Sequence, residues 1–228
     1  MKKPVFYTEL AYLFGMFILA LGTAFMEAAD FGVSMVVAPA YLVYLKVSQF
    51  LPFFTFGMAE YTLQAVLLIL LILVLRQFRP SYLFSFVTAV LYGLILDLNM
   101  LLVALIPCEA IAVRLIFYFG GMLLCAIGVS MLFHTYISPE VYELFVKEAS
   151  AKYNISINKF KTAYDCISCG VAILMSFAFF GFGHFEGVKW GTVVCALLNG
   201  WLIGRWSGLL DRAFEFADRL KGHRYFEK

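Results

Sequence analysis

The chain has 228 residues, 63% of them hydrophobic and 14% charged, with a formal net charge of +2. Soluble domains average about 25% charged residues; a water-soluble fold cannot hide this much apolar side chain, so part of the surface must meet lipid. The small net charge, with no dense basic patch before the C-terminal tail, argues against nucleic acid as the main partner.

A helix needs about 20 apolar residues to cross a bilayer, and six segments qualify. The first, 6–27, follows Lys2 and Lys3 and has no small-residue cleavage site after it, so it reads as a retained span rather than a signal peptide. Glu27 and Asp30 close it, and an apolar stretch containing Pro39 runs over 35–51. The second span, 57–77, carries Glu60 near its start, and the third, 82–106, carries Asp97 far from any other charge. The fourth, 111–134, ends on His134. Residues 138–150 are the counterpart of 35–51. They open Ser138-Pro139-Glu140, a capping residue before Pro at the first helical position. Val141, Leu144, Phe145 and Ala149 share one face, with Glu143, Lys147 and Glu148 elsewhere, as expected of an interfacial or partly inserted helix. The fifth span, 158–182, holds Asp165 and Cys166-x-x-Cys169, and the sixth, 188–210, holds Asn199 and Arg205.

The five cysteines lie mostly in apolar stretches, which argues against a secreted disulfide framework. The single CxxC lacks a second pair to complete four metal ligands. The sequence contains no nucleophile motif, P-loop or HExxH. The expectation is a protein that is not an enzyme and needs no cofactor or metal.

An internal repeat organises the chain. At a shift of 106, Tyr12 meets Tyr118, Gly15 meets Gly121, Met16 meets Met122, Ala20 meets Ala126 and Gly22 meets Gly128. Nearby shifts pair Glu60 with Asp165 and Gly93 with Gly200. Three spans per half is an odd number, so the second half must enter from the opposite side. The fold class expected is an all-α membrane bundle of six transmembrane helices, two inverted three-helix repeats each with a short amphipathic or re-entrant helix. The halves are 1–106 and 107–210, with 211–228 a basic tail. With both termini in the cytoplasm, 14 lysines and arginines fall inside and only Lys46, Arg114 and Lys189 outside, the positive-inside pattern. The Asn154-Ile155-Ser156 sequon then lies on the cytoplasmic side, out of reach of glycosylation.

Inverted repeats are common in secondary transporters, whose two similar halves exchange conformations. An intramembrane carboxylate is retained at a cost of about 2.5–3.5 kcal/mol on insertion scales, which makes Asp97 the leading site residue. A packed, hydrogen-bonded structural acid is the competing reading. Glu60 and Glu27 complete a candidate acidic cluster in the outer half, and Asp165, His134 and Asn199 occupy matching places in the second half. Lys161, one helical turn before Asp165, offers it a structural ion pair.

Four runs carry a family resemblance: ALGTAFMEAADFGVSMVVAPAYL at 20–42, AIGVSMLFHTYISPEVYELF at 126–145, NISINKFKTAYDCISCGVAIL at 154–174 and GFGHFEGVKWGTVVCALLNGWLIG at 181–204. In these the chain resembles the YitT/YczE-like family of bacterial integral membrane proteins. Where related sequences often show Pro-Trp-Asp-like residues after the first GVS, this chain has Met35-Val36-Val37. The resemblance implies a bacterial plasma membrane location and a transporter-like layout, with no substrate attached. The resulting expectation is a permease whose mid-membrane acids bind a cation, a proton or a basic solute. Its partners would be the lipid bilayer, a small solute and, as a candidate, a second copy of the chain. A non-transporting scaffold or regulator, or a solute-binding subunit of a larger importer, is the alternative. A hydrated central cavity lined by acids distinguishes the first from a packed scaffold.

Overall fold

The computed structural model describes residues 3–182 and 186–220. Among them are eight helices and one two-stranded sheet. A short strand β1 (Val5–Tyr7) leads into α1 (Thr8–Ala29), followed by α2 (Ala38–Val47), α3 (Phe56–Leu75) and α4 (Ser81–Val103). The second half repeats the order with α5 (Ile111–Phe133), α6 (Val141–Lys152), α7 (Ile157–Phe180), α8 (Trp190–Ala213) and a closing strand β2 (Glu215–Ala217). Six helices are long and apolar enough to span a bilayer, all but α2 and α6. Their lipid-facing sides show as exposed large apolar residues such as Leu73, Leu101, Ile116 and Leu197. The protein is a polytopic helical membrane bundle.

β1 and β2 pair in parallel, Phe6 opposite Phe216, so the start of the first span and the end of the last lie on one face of the bundle. Of the expected basic tail, 221–228 lies outside the described residues.

The halves are inverted. At the centre, α1 crosses α5 through four glycines. A Cβ on Gly15 would meet the Gly128 carbonyl oxygen at 3.0 Å, and one on Gly22 would meet that of Gly121 at 2.7 Å. The early glycine of each helix therefore touches the late glycine of the other, so repeat-equivalent helices run antiparallel. Only a half-turn about an axis in the membrane plane relates them that way. The other packings obey the same symmetry: α1 on α4 matches α5 on α8, and α3 on α6 matches α7 on α2.

The two short helices are re-entrant. Chain leaving α5 rises along α4, where the Thr88 hydroxyl reaches the Ser138 carbonyl (3.0 Å), and then α6 descends beside α3. Val141 and Leu144 pack there with Leu68, Leu71 and Leu75. Lys152 ends the descent by donating to the Val74 and Leu75 carbonyls at 2.9 and 2.8 Å, which supplies a cation to the C-terminus of α3. Lys46, its equivalent in the first repeat, donates to the Phe179 carbonyl in the last turn of α7 (3.1 Å). Sequence places the start of the second short helix at Ser138-Pro139; the helix begins at Val141 with Glu140 at the cap, and the Ser138 hydroxyl donates to the Ser81 carbonyl. Glu143, off the apolar stripe of α6, is buried as well.

Candidate functional site

The start of α6 lies deep in the bundle. Gln64, which receives it, stands roughly 12 Å from the first residue of α3, and Tyr92 is at the middle of α4. Helix starts carry unpaired N–H groups that a low-dielectric interior cannot leave bare. Here the Gln64 side-chain oxygen accepts from the Val141 N–H at 3.0 Å. That bond fixes the amide's orientation and turns its NH2 toward two carboxylates, Glu140 at 3.0 Å and Glu60 at 3.5 Å. The Tyr142 hydroxyl donates to Glu60 at 3.0 Å. Burial pushes the Glu140 carboxyl well above the usual carboxylate range, and the nearby Glu60 carboxylate raises it further.

A second charged group adjoins the first. Lys161 on α7 lies 3.1 Å from Glu143 and 3.1 Å from Asp165, one cation between two carboxylates. The Lys161–Asp165 pair is the i,i+4 contact that the spacing predicts.

Between these groups and the α1–α5 crossing is a cavity of about 40 Å³, space for on the order of two or three waters. Both halves line it: Thr23 of α1, Tyr92 of α4, Glu140, Glu143 of α6, Lys161 of α7 and Asn199 of α8. Glu140 Oε1, Glu143 Oε2 and Asn199 Oδ1 have no hydrogen-bond partner among the described residues, and all three residues are more than nine-tenths buried. Buried polar atoms left bare cost free energy, and these belong to residues lining one cavity. Thr23 and Tyr92 bond each other across it at 2.9 Å.

Of the six residues expected from sequence, Asn199 lines this cavity. Glu60 stands one contact behind it through Tyr142 and Gln64, and Asp165 one contact behind it through Lys161. Asp97 is elsewhere: its carboxylate accepts from the Gly57 N–H (2.8 Å) and the Thr55 hydroxyl (2.7 Å), binding the start of α3. In the outer-half cluster expected of Asp97, Glu60 and Glu27, Asp97 and Glu27 both act on the Tyr44 phenol, while Glu60 is held apart by Tyr142 and Gln64. Glu27 takes a hydrogen bond from Tyr41 at 3.2 Å, beside Asp30, which pairs with Arg114 and Lys189 at the far face. His134 caps α5 at the opposite face, 3.0 Å from Asp211.

Residues 6–208 match a family of unknown function, DUF6198. The chain belongs to that family. No curated protein and no solved structure matches it.

Sequence reading did not single out Gln64, Tyr142, Glu143 or Glu140 as site residues. Gln64 was the one signal available: an amide in the middle of a spanning helix, where hydrocarbon offers it no partner. The Ser-Pro-Glu start of α6 was visible, but its depth was not.

Proposed function

We propose that this DUF6198 protein is a permease for a small cation or basic solute, working from the cavity between its inverted halves. The observation that carries the reading is the meeting of a buried re-entrant helix start with bare carboxylate and amide oxygens on a shared cavity. Transporters place substrate sites at such broken-helix ends near the midplane. Four carboxylates, Glu60, Glu140, Glu143 and Asp165, stand at or just behind the cavity against one lysine, Lys161, so the site favours positive charge. Thr23, Tyr92 and Asn199 add neutral oxygens. The inverted symmetry supports alternating access, since exchanging the conformations of the two halves opens the cavity to the opposite side. Kinship with the YitT/YczE-like proteins belongs to this proposal and rests on the four motif runs. So does placement in the bacterial plasma membrane with both termini cytoplasmic, which rests on the lysine and arginine distribution.

The test is flux. Purified protein in proteoliposomes should carry at least one of sodium, potassium, lithium or methylammonium down its gradient, and Glu143→Gln, which leaves Lys161 its Asp165 partner, should reduce that flux at least tenfold. Liposomes as tight with protein as without it, across these cations and a panel of amines and polyamines, would leave the repeats with a packing role only.

A further inference from the structure

Resting on the cation-permease reading, we propose that Glu60 and Glu140 hold a proton between them that the cation displaces, so that the protein exchanges one monovalent cation for one proton. The geometry begins with Gln64. Its amide NH2 is the single group donating to both carboxylates, and it cannot turn over without losing the Val141 N–H. Glu60 is fully buried and Glu140 4% exposed, and each keeps a second oxygen without a partner among the described residues. Two carboxylates sharing one donor in a low-dielectric interior cannot both stay charged; one must carry a proton.

The positive charge at the site relieves Glu140 only weakly, as the smallest of the influences acting on that carboxyl. Lys161 contacts Glu143 and Asp165 and neither member of this pair. The other titratable groups facing Glu140 are Tyr12 of α1, Tyr92 of α4, Cys125 of α5, and Tyr142 and Glu143 of α6. Phenols and thiols ionise above neutrality in their ordinary state, and Glu143 is held by Lys161. That leaves the Glu60–Glu140 pair, bridged by Gln64, as the groups that hold the exchangeable proton.

Glu140 lines the cavity and Glu60 lies behind it, so a cation entering the cavity meets Glu140 first. In the exchange an O–H bond of the pair breaks and its proton passes to water. The freed carboxylate then faces the cation, with Asn199 and Glu143 oxygens within the same cavity. One positive charge enters and one leaves, so the buried charge is unchanged. A divalent ion would bring two positive charges for the one the proton removes, so the buried charge would no longer be unchanged.

The experiment uses the full-length protein in weakly buffered detergent with a pH-indicating dye, titrated with sodium, potassium, lithium and methylammonium chlorides; N-methylglucamine chloride controls for ionic strength. About one proton should be released per cation bound, and the apparent Kd should rise about tenfold for each unit fall in pH while the pair is protonated. Glu140→Gln should release no proton, and Asp97→Asn should release as many as the parent. The pH dependence of the parent's Kd needs no variant, so a Glu140→Gln protein that fails to fold leaves the test intact. Cation binding with no proton release and a pH-independent Kd overturns the exchange and leaves the permease standing. Flux confined to neutral or anionic solutes also overturns it. Neither binding nor flux with any of these cations overturns the exchange, and the permease with it once the amine and polyamine panel is silent too.

Discussion

Gly22 and Gly121 meet backbone to backbone where α1 crosses α5; a Cβ on either would stand 2.7 or 2.6 Å from the other's carbonyl oxygen. Backbone cannot retreat there without parting the two halves. Gly22→Val should therefore destabilise the protein by about 1–3 kcal/mol, the usual cost of overpacking, and lower its melting temperature in detergent. Gly120→Ala is the control. A Cβ there meets nothing within 4 Å, and helix propensity favours alanine by up to about 1 kcal/mol. Equal melting temperatures for Gly22→Val and the parent would mean that the crossing is looser than the glycine contacts require.

Asp97 binds the start of α3, so its removal should cost stability and leave function alone. Asp97→Ala loses the acceptor for the Gly57 N–H and for the Thr55 hydroxyl, which itself accepts from the Met58 N–H at 3.1 Å. The expected loss is about 1–2 kcal/mol, as for an N-cap, with cation flux per folded molecule and its pH profile unchanged. Abolished flux in a variant of normal stability would return Asp97 to the transport machinery.

The fate of Asp97 shows what the sequence made legible. Hydropathy locates all six spans to within a few residues, because lipid imposes a length and a composition on each helix separately. The repeat was legible in the glycines of α1 and α5, which are constrained by direct backbone contact. The site was not, since its parts are far apart in sequence. Gln64 and Glu140 are separated by 76 residues, and Glu143 and Lys161 by 18. A lone acid in an apolar run signals a partner without naming it: for Asp97 the partner is a helix end 40 residues away, and for Glu60 it is Tyr142 and Gln64. Glu143 lies off the apolar stripe of α6, and its partner Lys161 comes from a different helix.

The two short helices return to the face they left, so probes on them report opposite sides of the membrane. Ala151 near the end of α6 and Gln49 just past α2 are both exposed and serve as labelling positions for the two sides. In a background without native cysteines, Ala151→Cys should react with a membrane-impermeant maleimide only from the cytoplasmic side, and Gln49→Cys only from outside. Labelling of both from one side would mean that one short segment crosses the membrane.

Lys161 sits between Glu143 and Asp165 with its side chain 10% exposed. Removing a buried ion's partner typically costs 3–5 kcal/mol, because the remaining charge is stranded. Lys161→Met strands two carboxylates and should destabilise by at least that range at neutral pH. The triple variant Lys161→Met/Glu143→Gln/Asp165→Asn should recover most of the loss, since no buried charge is left uncompensated. Thermal unfolding of the two variants beside the parent tests this. A triple variant no more stable than Lys161→Met would assign the cost to packing around the lysine stem rather than to charge.

Glu140 makes stability fall as pH rises. Its carboxyl is pushed well above the ordinary carboxylate range by burial first and by Glu60 second. The folded state therefore holds a proton that the unfolded chain has already released. A raised value contributes stability that is complete below the unfolded pKa of about 4.3 and is lost as pH climbs through the folded value. The slope is at most about 1.4 kcal/mol per pH unit for one proton. Unfolding midpoints of the parent in detergent should fall as pH is raised from the ordinary carboxylate range through neutrality. Glu140→Gln has nothing to ionise at this position and keeps a polar group for Gln64, so its midpoint should change less with pH. It should cross the parent's and exceed it on the alkaline side. A cation that occupies the cavity should flatten the parent's slope in the same way, because it compensates the carboxylate once the proton has gone. A parent whose stability stays level or rises over this window would mean that Glu140 is ionised in the folded protein, and the Gln64-bridged pair would then hold no exchangeable proton.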